Sequence, residues 1–388
     1  MMAEQRKIRV LMTSPSSDMG GAEKTFWFLS SRLKADKKYE IYGAFPRGSL
    51  YPKLKANFKK TQALFLIEFI PRGVNPLSVL RWPLYLITLA LNFLLCLKEI
   101  LLNQIDIIYV NSSIQLSAVL AARLTNRKLM VFVLEDYYHD NLQMRHWLFS
   151  LLSRSADLLL CQSGRLENDL KSYGAKVKVI YAGVYEIEGR PSELKSHDPR
   201  FFNVGIIGKI YPLKGQATVI AALERLVREG LPIKVHILGG YRRFSNNYFY
   251  YRKLKRLVEN KGLIEKVVFE EPASLSQIYL GLDAVVIASR SEGFSLVYPE
   301  ALKYGRPVIA TCTGVMADVG KEGENLMFFD YGDDQHLAEK IKLIYSNKEL
   351  RSKLAQNGYL TYRKYFQEDL IGQQFISEIN EVANAHRN

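Results

Sequence analysis

Glu292 and Glu300 stand in the stretch SRSEGFSLVYPEALKYGRPVIAT (289–311), with Gly293 placed where the backbone must turn or approach a ligand. The preceding run AVVIAS reads as a buried strand, and Pro299 and Gly305 mark the first turn and the stop of a short helix. On that geometry the N–H groups of Phe294, Ser295 and Leu296 point from a helix start towards an anion. The two carboxylates then line one pocket. A carboxylate that accepts from paired hydroxyls suits the ribose or hexose of a nucleotide sugar. By themselves, two such glutamates read better as solvated groups beside an ordinary turn. A second stretch changes that balance: GKIYPLKG (208–215) sets Lys209 and Lys214 on a strand-to-helix loop closing at Gly215. Two ammonium groups there can neutralise a diphosphate, and later a departing one.

A third motif, MGGAEKT (19–25), puts Gly20 and Gly21 after the first strand. Taken together, in order and spacing, the three motifs resemble the retaining family 4 glycosyltransferases of GT-B fold. EGFSLVYPE matches their glutamate, seven residues, glutamate signature; GKIYPLKG matches their Gly-Arg-…-Lys-Gly loop; and MGGAEKT matches their Gly-Gly-Ala-Glu loop. The resemblance implies an α/β chain of two Rossmann-like, doubly wound domains facing across a cleft. It implies Glu300 on the donor ribose, Glu292 on the transferred sugar, Lys209 and Lys214 on the diphosphate, and Gly20 and Gly21 on the acceptor side. It also implies transfer with retention by a front-face route, in which the leaving diphosphate helps deprotonate the acceptor. Two positions depart from the pattern. Lys209 replaces an arginine, which keeps the charge but loses the planar fork. Where the family has a histidine near the transferring sugar, the aligned residue is Glu135, followed by Asp136, with His139 four residues on. Glu135 therefore joins Glu292, Lys209 and Lys214 as a candidate catalytic residue, or else caps the helix that follows. No cofactor and no metal are expected, since Asp333 and Asp334 read as the cap and first turn of a helix.

These loops need strands and helices to hold them. Strand-like and helix-like runs alternate along the chain: KIRVLMTS, GAEKTFWFLSSRLK, IDIIYVNS, IQLSAVLAARL, KLMVFVLE, LLLCQS, GRLENDLKSYG. The rhythm breaks at 184–200 in a polar stretch with two prolines, and restarts with FFNVGIIG, IKVHILGG, KVVFEE, AVVIAS and PVIAT. An acceptor domain over 1–185 and a nucleotide-sugar domain over 200–365 follow, with 366–388 as a helix packing back on the first. The 388 residues, 48% hydrophobic and 24% charged, fit two folded domains rather than a disordered chain. Cys96, Cys161 and Cys312 have no metal or redox spacing, and the charged N-terminus runs straight into a strand; a cytoplasmic protein is expected.

The net charge of +14 favours an anionic partner. Residues 82–97 are uncharged, a run of 16 that falls short of the roughly 20 a spanning helix needs. Deep burial against the sheet and docking at an anionic membrane's inner face remain equally open, the latter helped by the basic stretch 32–60. The basic, aromatic run YRRFSNNYFYYRKLKR (241–256) reads as a helix with some rings inward, so no nucleic-acid partner is expected. The expected partners are a nucleoside-diphosphate sugar and a glycan or lipid-linked acceptor, as in bacterial surface glycan synthesis. Rival readings are a sugar-nucleotide epimerase of the same fold and a non-catalytic basic adaptor for membranes or nucleic acid. A dinucleotide oxidoreductase is excluded, for no strand is followed by the Gly-x-Gly-x-x-Gly fingerprint with its later acid.

Overall fold

The computed structural model describes residues 6–18, 20–65, 81–134, 142–185, 198–240, 246–271 and 275–385. The chain divides into two compact units, Met1–Tyr185 with Glu368–Asn388, and Glu186–Gln367. Glu135, Asp136, His139, residues 241–245 and most of the 184–200 stretch lie outside the described residues.

Unit 1 is built on seven parallel strands, β1 Ile8–Thr13, β2 Tyr39–Phe45, β3 Lys60–Ala63, β4 Ile107–Val110, β5 Lys128–Val133, β6 Leu158–Cys161 and β7 Val177–Val179, in the order β3-β2-β1-β4-β5-β6-β7. The central strands carry unbroken apolar runs, IIYV and LLLC among them, and are buried along their whole length. That is the pattern of a parallel sheet covered on both faces. Unit 2 repeats the plan with β8 Phe202–Ile207, β9 Ile233–Leu238, β10 Val267–Glu270, β11 Ala284–Ile287, β12 Val308–Ala310 and β13 Met327–Phe328, ordered β10-β9-β8-β11-β12-β13. In each sheet the build reverses direction beside its first strand, between β1 and β4 and between β8 and β11. Connections on the two sides of that reversal diverge, which opens a crevice at the carboxyl ends of those strands.

The helix Glu368–Asn384 belongs to unit 1, although 182 residues of unit 2 (186–367) precede it. Its apolar stripe of Ile371, Phe375, Ile379 and Val382 is buried, with the Phe375 ring set edge-on to Tyr109 at 5.2 Å. Gly372 leaves room for the Arg32 side chain, whose guanidinium pairs with Asp369 at 2.7 Å. Tyr39 donates its hydroxyl to Asn380 Oδ1 at 2.7 Å, and burial, with the charge of Asp36 in second place, pushes that hydroxyl up to about 12.

The uncharged run lies in a helix longer than itself, Arg81–Leu102. Deep burial on all sides does not hold: only a third of its most apolar window is enclosed. The enclosed stripe is Tyr85, Thr88, Asn92, Cys96 and Glu99, spaced at three and four residues as one face of a helix. Asn92 accepts the N–H of Phe65 at 3.0 Å, and Glu99 accepts from Lys60 Nζ at 3.0 Å and from Asn103 Nδ2 at 2.7 Å. Of the basic stretch 32–60, Lys60 lies beside this helix and pairs with Glu99, whereas Arg32 and Lys38 bind the Glu368–Asn384 helix and Lys59 pairs with Glu40. In unit 2 the helix Asn246–Asn260 turns Leu254 and Val258 inward, and sets Tyr251 edge-on to Phe269 at 5.4 Å.

Candidate functional site

At the reversal in unit 2, the loop after β8 meets the loop after β11. The turn Pro212–Lys214 ends on Gly215, whose φ of +70° is left-handed and whose missing Cβ would lie 2.1 Å from the Ala288 carbonyl oxygen. Only glycine allows both, so the two loops can touch. The N–H of Arg290 then donates to Leu213 O at 2.8 Å. This contact carries Lys214 to Glu292, with Nζ 2.6 Å from Oε1. The Ser289 hydroxyl donates to the same Oε1 at 2.6 Å, while Thr311, at the end of β12, donates its hydroxyl to Ser289 O at 2.6 Å. Glu292 is thus fixed by a charge and a hydroxyl drawn from two loops. Lys209 sits one loop position outward, exposed, and its ammonium has no partner among the described residues.

Glu300 is held differently. It sits in the helix Val297–Lys303 with only 5% of its surface exposed, and the Tyr279 hydroxyl donates to its Oε2 at 2.7 Å. Tyr279 is fully buried and stacks on Tyr304 at 5.4 Å. Burial first, and the Glu300 charge second, raise that hydroxyl well above the usual tyrosine range, so it keeps its proton and remains a donor. The helix begins as the sequence pattern implies, with Leu296 at its N-cap and no side-chain cap. The N–H groups of Ser295 and Leu296 make no hydrogen bond among the described residues. Phe294 is buried, and its carbonyl accepts from Val315 N at 3.2 Å.

In this loop Ser295 takes a left-handed backbone, at φ +80°. A side chain in that region is strained, and such strain collects at ligand-binding loops. Glycine is required at Gly314, with φ +54°, where a Cβ would come 2.7 Å from Phe294 O and 3.0 Å from Glu292 Cβ.

In unit 1 the loop after β1 leads to Gly20, the uncapped residue before the helix Gly21–Ala35. Gly20 is extended, at φ −147°, and a Cβ would meet only the mobile end of Glu23. Asn111, at the end of β4, donates from Nδ2 to Ala22 O at 3.1 Å and accepts from the Tyr109 hydroxyl at 2.9 Å. Nearby in sequence, Gln115 is fully buried with neither amide atom hydrogen-bonded. Such an orphan is rare in a folded core.

Motif reading passed over Ser289, Tyr279, Arg290 and Asn111. Ser289 and Arg290 flank the glutamate motif and could have been found as polar residues at a strand's carboxyl end. Tyr279 lies on the helix Leu275–Leu280, and no local signal joins it to Glu300. Asp330, Asp333 and His336 bring ligand-type atoms within 4.8 Å of one another at the surface. Asp333 is already engaged there, capping its helix through His336 N at 2.9 Å.

Residues 19–186 match the model for Glycosyltransferase Family 4, and residues 188–361 match that for Glycosyl transferases group 1. The chain is similar to an uncharacterized glycosyltransferase of Methanocaldococcus jannaschii, MJ1178, with 25% identity over 58% of this chain and 60% of that one. It is 30% identical to the D-inositol 3-phosphate glycosyltransferase of Corynebacterium urealyticum over 39% of this chain and 37% of that one. These matches span less than two thirds of either relative. Among solved structures, Anabaena Alr3699/HepE in complex with UDP and glucose superposes with a TM-score of 0.76 at 20% identity, covering 96% of this chain and 99% of that one. At that identity the likeness concerns the fold.

Proposed function

We propose that this chain, which belongs to the family 4-like glycosyltransferases of GT-B fold, transfers a sugar from a nucleoside-diphosphate sugar to an acceptor hydroxyl with retention. The observation that carries the reading is the bridge from Lys214 to Glu292 across the strand reversal, with Glu300 buried behind it on Tyr279. In this reading Glu300 accepts from the ribose hydroxyls and Glu292 orients the transferred sugar. Lys209 and Lys214 neutralise the diphosphate, and Ser295 and Leu296 offer it N–H groups.

Charge grows on the diphosphate as the sugar leaves, so Lys214 divides its attraction between Glu292 and the departing group. The leaving oxygen takes the acceptor proton on the same face of the sugar, which needs no separate base. Unit 1 supplies the acceptor side, with Gly20 closing its first loop and Gly21 opening the helix that follows. Glu135 belongs to the proposed catalytic set on sequence alone. We assign the acceptor to a glycan or a lipid-linked saccharide, met at the cytoplasmic side of a membrane in surface-glycan synthesis.

A thermal-shift panel of nucleotide sugars, beginning with UDP-glucose, tests the donor. A true donor at a hundred times its Kd stabilises the fold by about 2.7 kcal/mol. No stabilisation by any nucleotide sugar overturns the assignment, and an inverted anomeric proton coupling in the product overturns retention. Turnover to an isomerised sugar nucleotide without acceptor would replace transfer by epimerisation.

A further inference from the structure

The helix Arg81–Leu102 faces its polar stripe inward, with Thr88, Asn92 and Glu99 enclosed, and its aliphatic stripe outward. Leu84, Ile87, Leu91 and Leu94 are 41–57% exposed, where a helix of a soluble domain hides such residues. The neighbouring helix Leu116–Leu124 packs against it and leaves Leu124 exposed as well. Arg123 of that helix reaches Ser155 at the end of the helix Leu142–Ser155, with Nη1 3.2 Å from Oγ. The steps from β3 to β4, β5 and β6 all run the same way along the sheet, so right-handed crossovers set these three helices on one side of it.

Charge on these helices is one-sided. Lys98, Arg123 and Arg154 are exposed on them, Arg145 is spent on Asp169 at 2.8 Å, and the single acid, Glu99, is 2% exposed and bound to Lys60. An aliphatic ridge among cations, without an exposed carboxylate on its own helices, complements an anionic lipid surface. A second copy of the chain is a poor occupant, because two-fold pairing of this face would set like charges against each other.

We propose that this face docks unit 1 on an anionic bilayer, with the helix Arg81–Leu102 lying in the interfacial plane. At about 33 Å the helix is long enough to cross the hydrocarbon. Spanning would tear Glu99 from Lys60 and Asn92 from the Phe65 N–H and carry both into lipid, which is costly. In the plane, both contacts survive while the leucines enter the acyl boundary. The inference deepens the proposed reaction, since a lipid-linked acceptor is met at a bilayer. Its test reads binding alone, so it can fail with sugar transfer intact.

The purified full chain is sedimented with phosphatidylcholine vesicles, with and without phosphatidylglycerol. It should pellet preferentially with the anionic vesicles, be partly released by salt, and be fully released by alkaline carbonate. Replacing Leu84, Ile87, Leu91 and Leu94 together with glutamine should lower partition by about a hundredfold or more, with thermal unfolding unchanged. Should that variant misfold, Trp82 in a Trp27→Phe, Trp147→Phe background should be quenched by brominated acyl chains. Each of four results overturns the proposal: no pelleting with either lipid, equal pelleting of the folded variant, resistance to carbonate, or an unquenched Trp82. A lipid-free dimer dissolved by the four substitutions overturns it too, by giving the face to a second copy.

Discussion

The two glutamates of the candidate site are held by different chemistry, and their variants should fail differently. Glu300 is enclosed and accepts from a tyrosine that keeps its proton. Glu300→Gln retains the shape but loses the charge, and donor binding by calorimetry should weaken by about 1.5 to 3 kcal/mol. Unchanged affinity would remove Glu300 from the site. On the proposed mechanism Lys214 instead meets a group whose charge grows during reaction, so Lys214→Ala should lower kcat about a hundredfold while donor affinity falls much less. A loss confined to affinity would make it a binding residue only. The candidate residues legible in the sequence were those gathered in short loops after strands, because each loop is a contiguous stretch of chain. Tyr279 was not legible, since its link to Glu300 exists only once two helices pack. The left-handed backbone at Ser295 was not legible either, because residue type, not conformation, is what a sequence displays.

Among elements, the loop after β8 shows how a backbone feature sets charge geometry. Gly215→Ala must adopt a left-handed φ and meet the Ala288 carbonyl, and should destabilise unit 2 by about 2 to 4 kcal/mol in thermal unfolding. Because Ala288 immediately precedes Ser289, the same substitution should loosen the grip on Glu292 and lower turnover beyond the stability loss. Full stability would show that the loop shifts without cost. Buried central strands such as β4, β8 and β11 were readable as apolar runs, whereas β2, β3 and β13 were not. β2 mixes Tyr, Glu and Gly, β3 is the polar edge segment KTQA, and β13 is two residues long. β3 and β13 are edge strands, which gain their identity from a neighbour's hydrogen bonds rather than from their own hydrophobicity, whereas β2 is paired on both sides. For the helix Arg81–Leu102, periodicity could not separate burial from exposure, since both faces carry apolar residues.

For the whole molecule, the chain leaves unit 1 after Tyr185 and returns to it at Glu368. Phe375, fully buried against Tyr109, ties the returning helix to the first sheet. Phe375→Ala should destabilise unit 1 by about 3 to 5 kcal/mol. Hydrogen exchange should then accelerate in β1, β4 and β5 while β8, β9 and β11 keep their protection. Equal loss in both units would mean that they unfold as one. The interrupted course of unit 1 also sets a clock on the ribosome. At roughly 5 to 20 residues per second, its returning helix emerges about ten to forty seconds after its last strand. Throughout that interval the nascent sheet lacks the cover that Ile371, Phe375 and Ile379 later provide, while the whole of unit 2 is free to fold. The part synthesised first is therefore completed last, and its uncovered surface is where a chaperone would engage the growing chain.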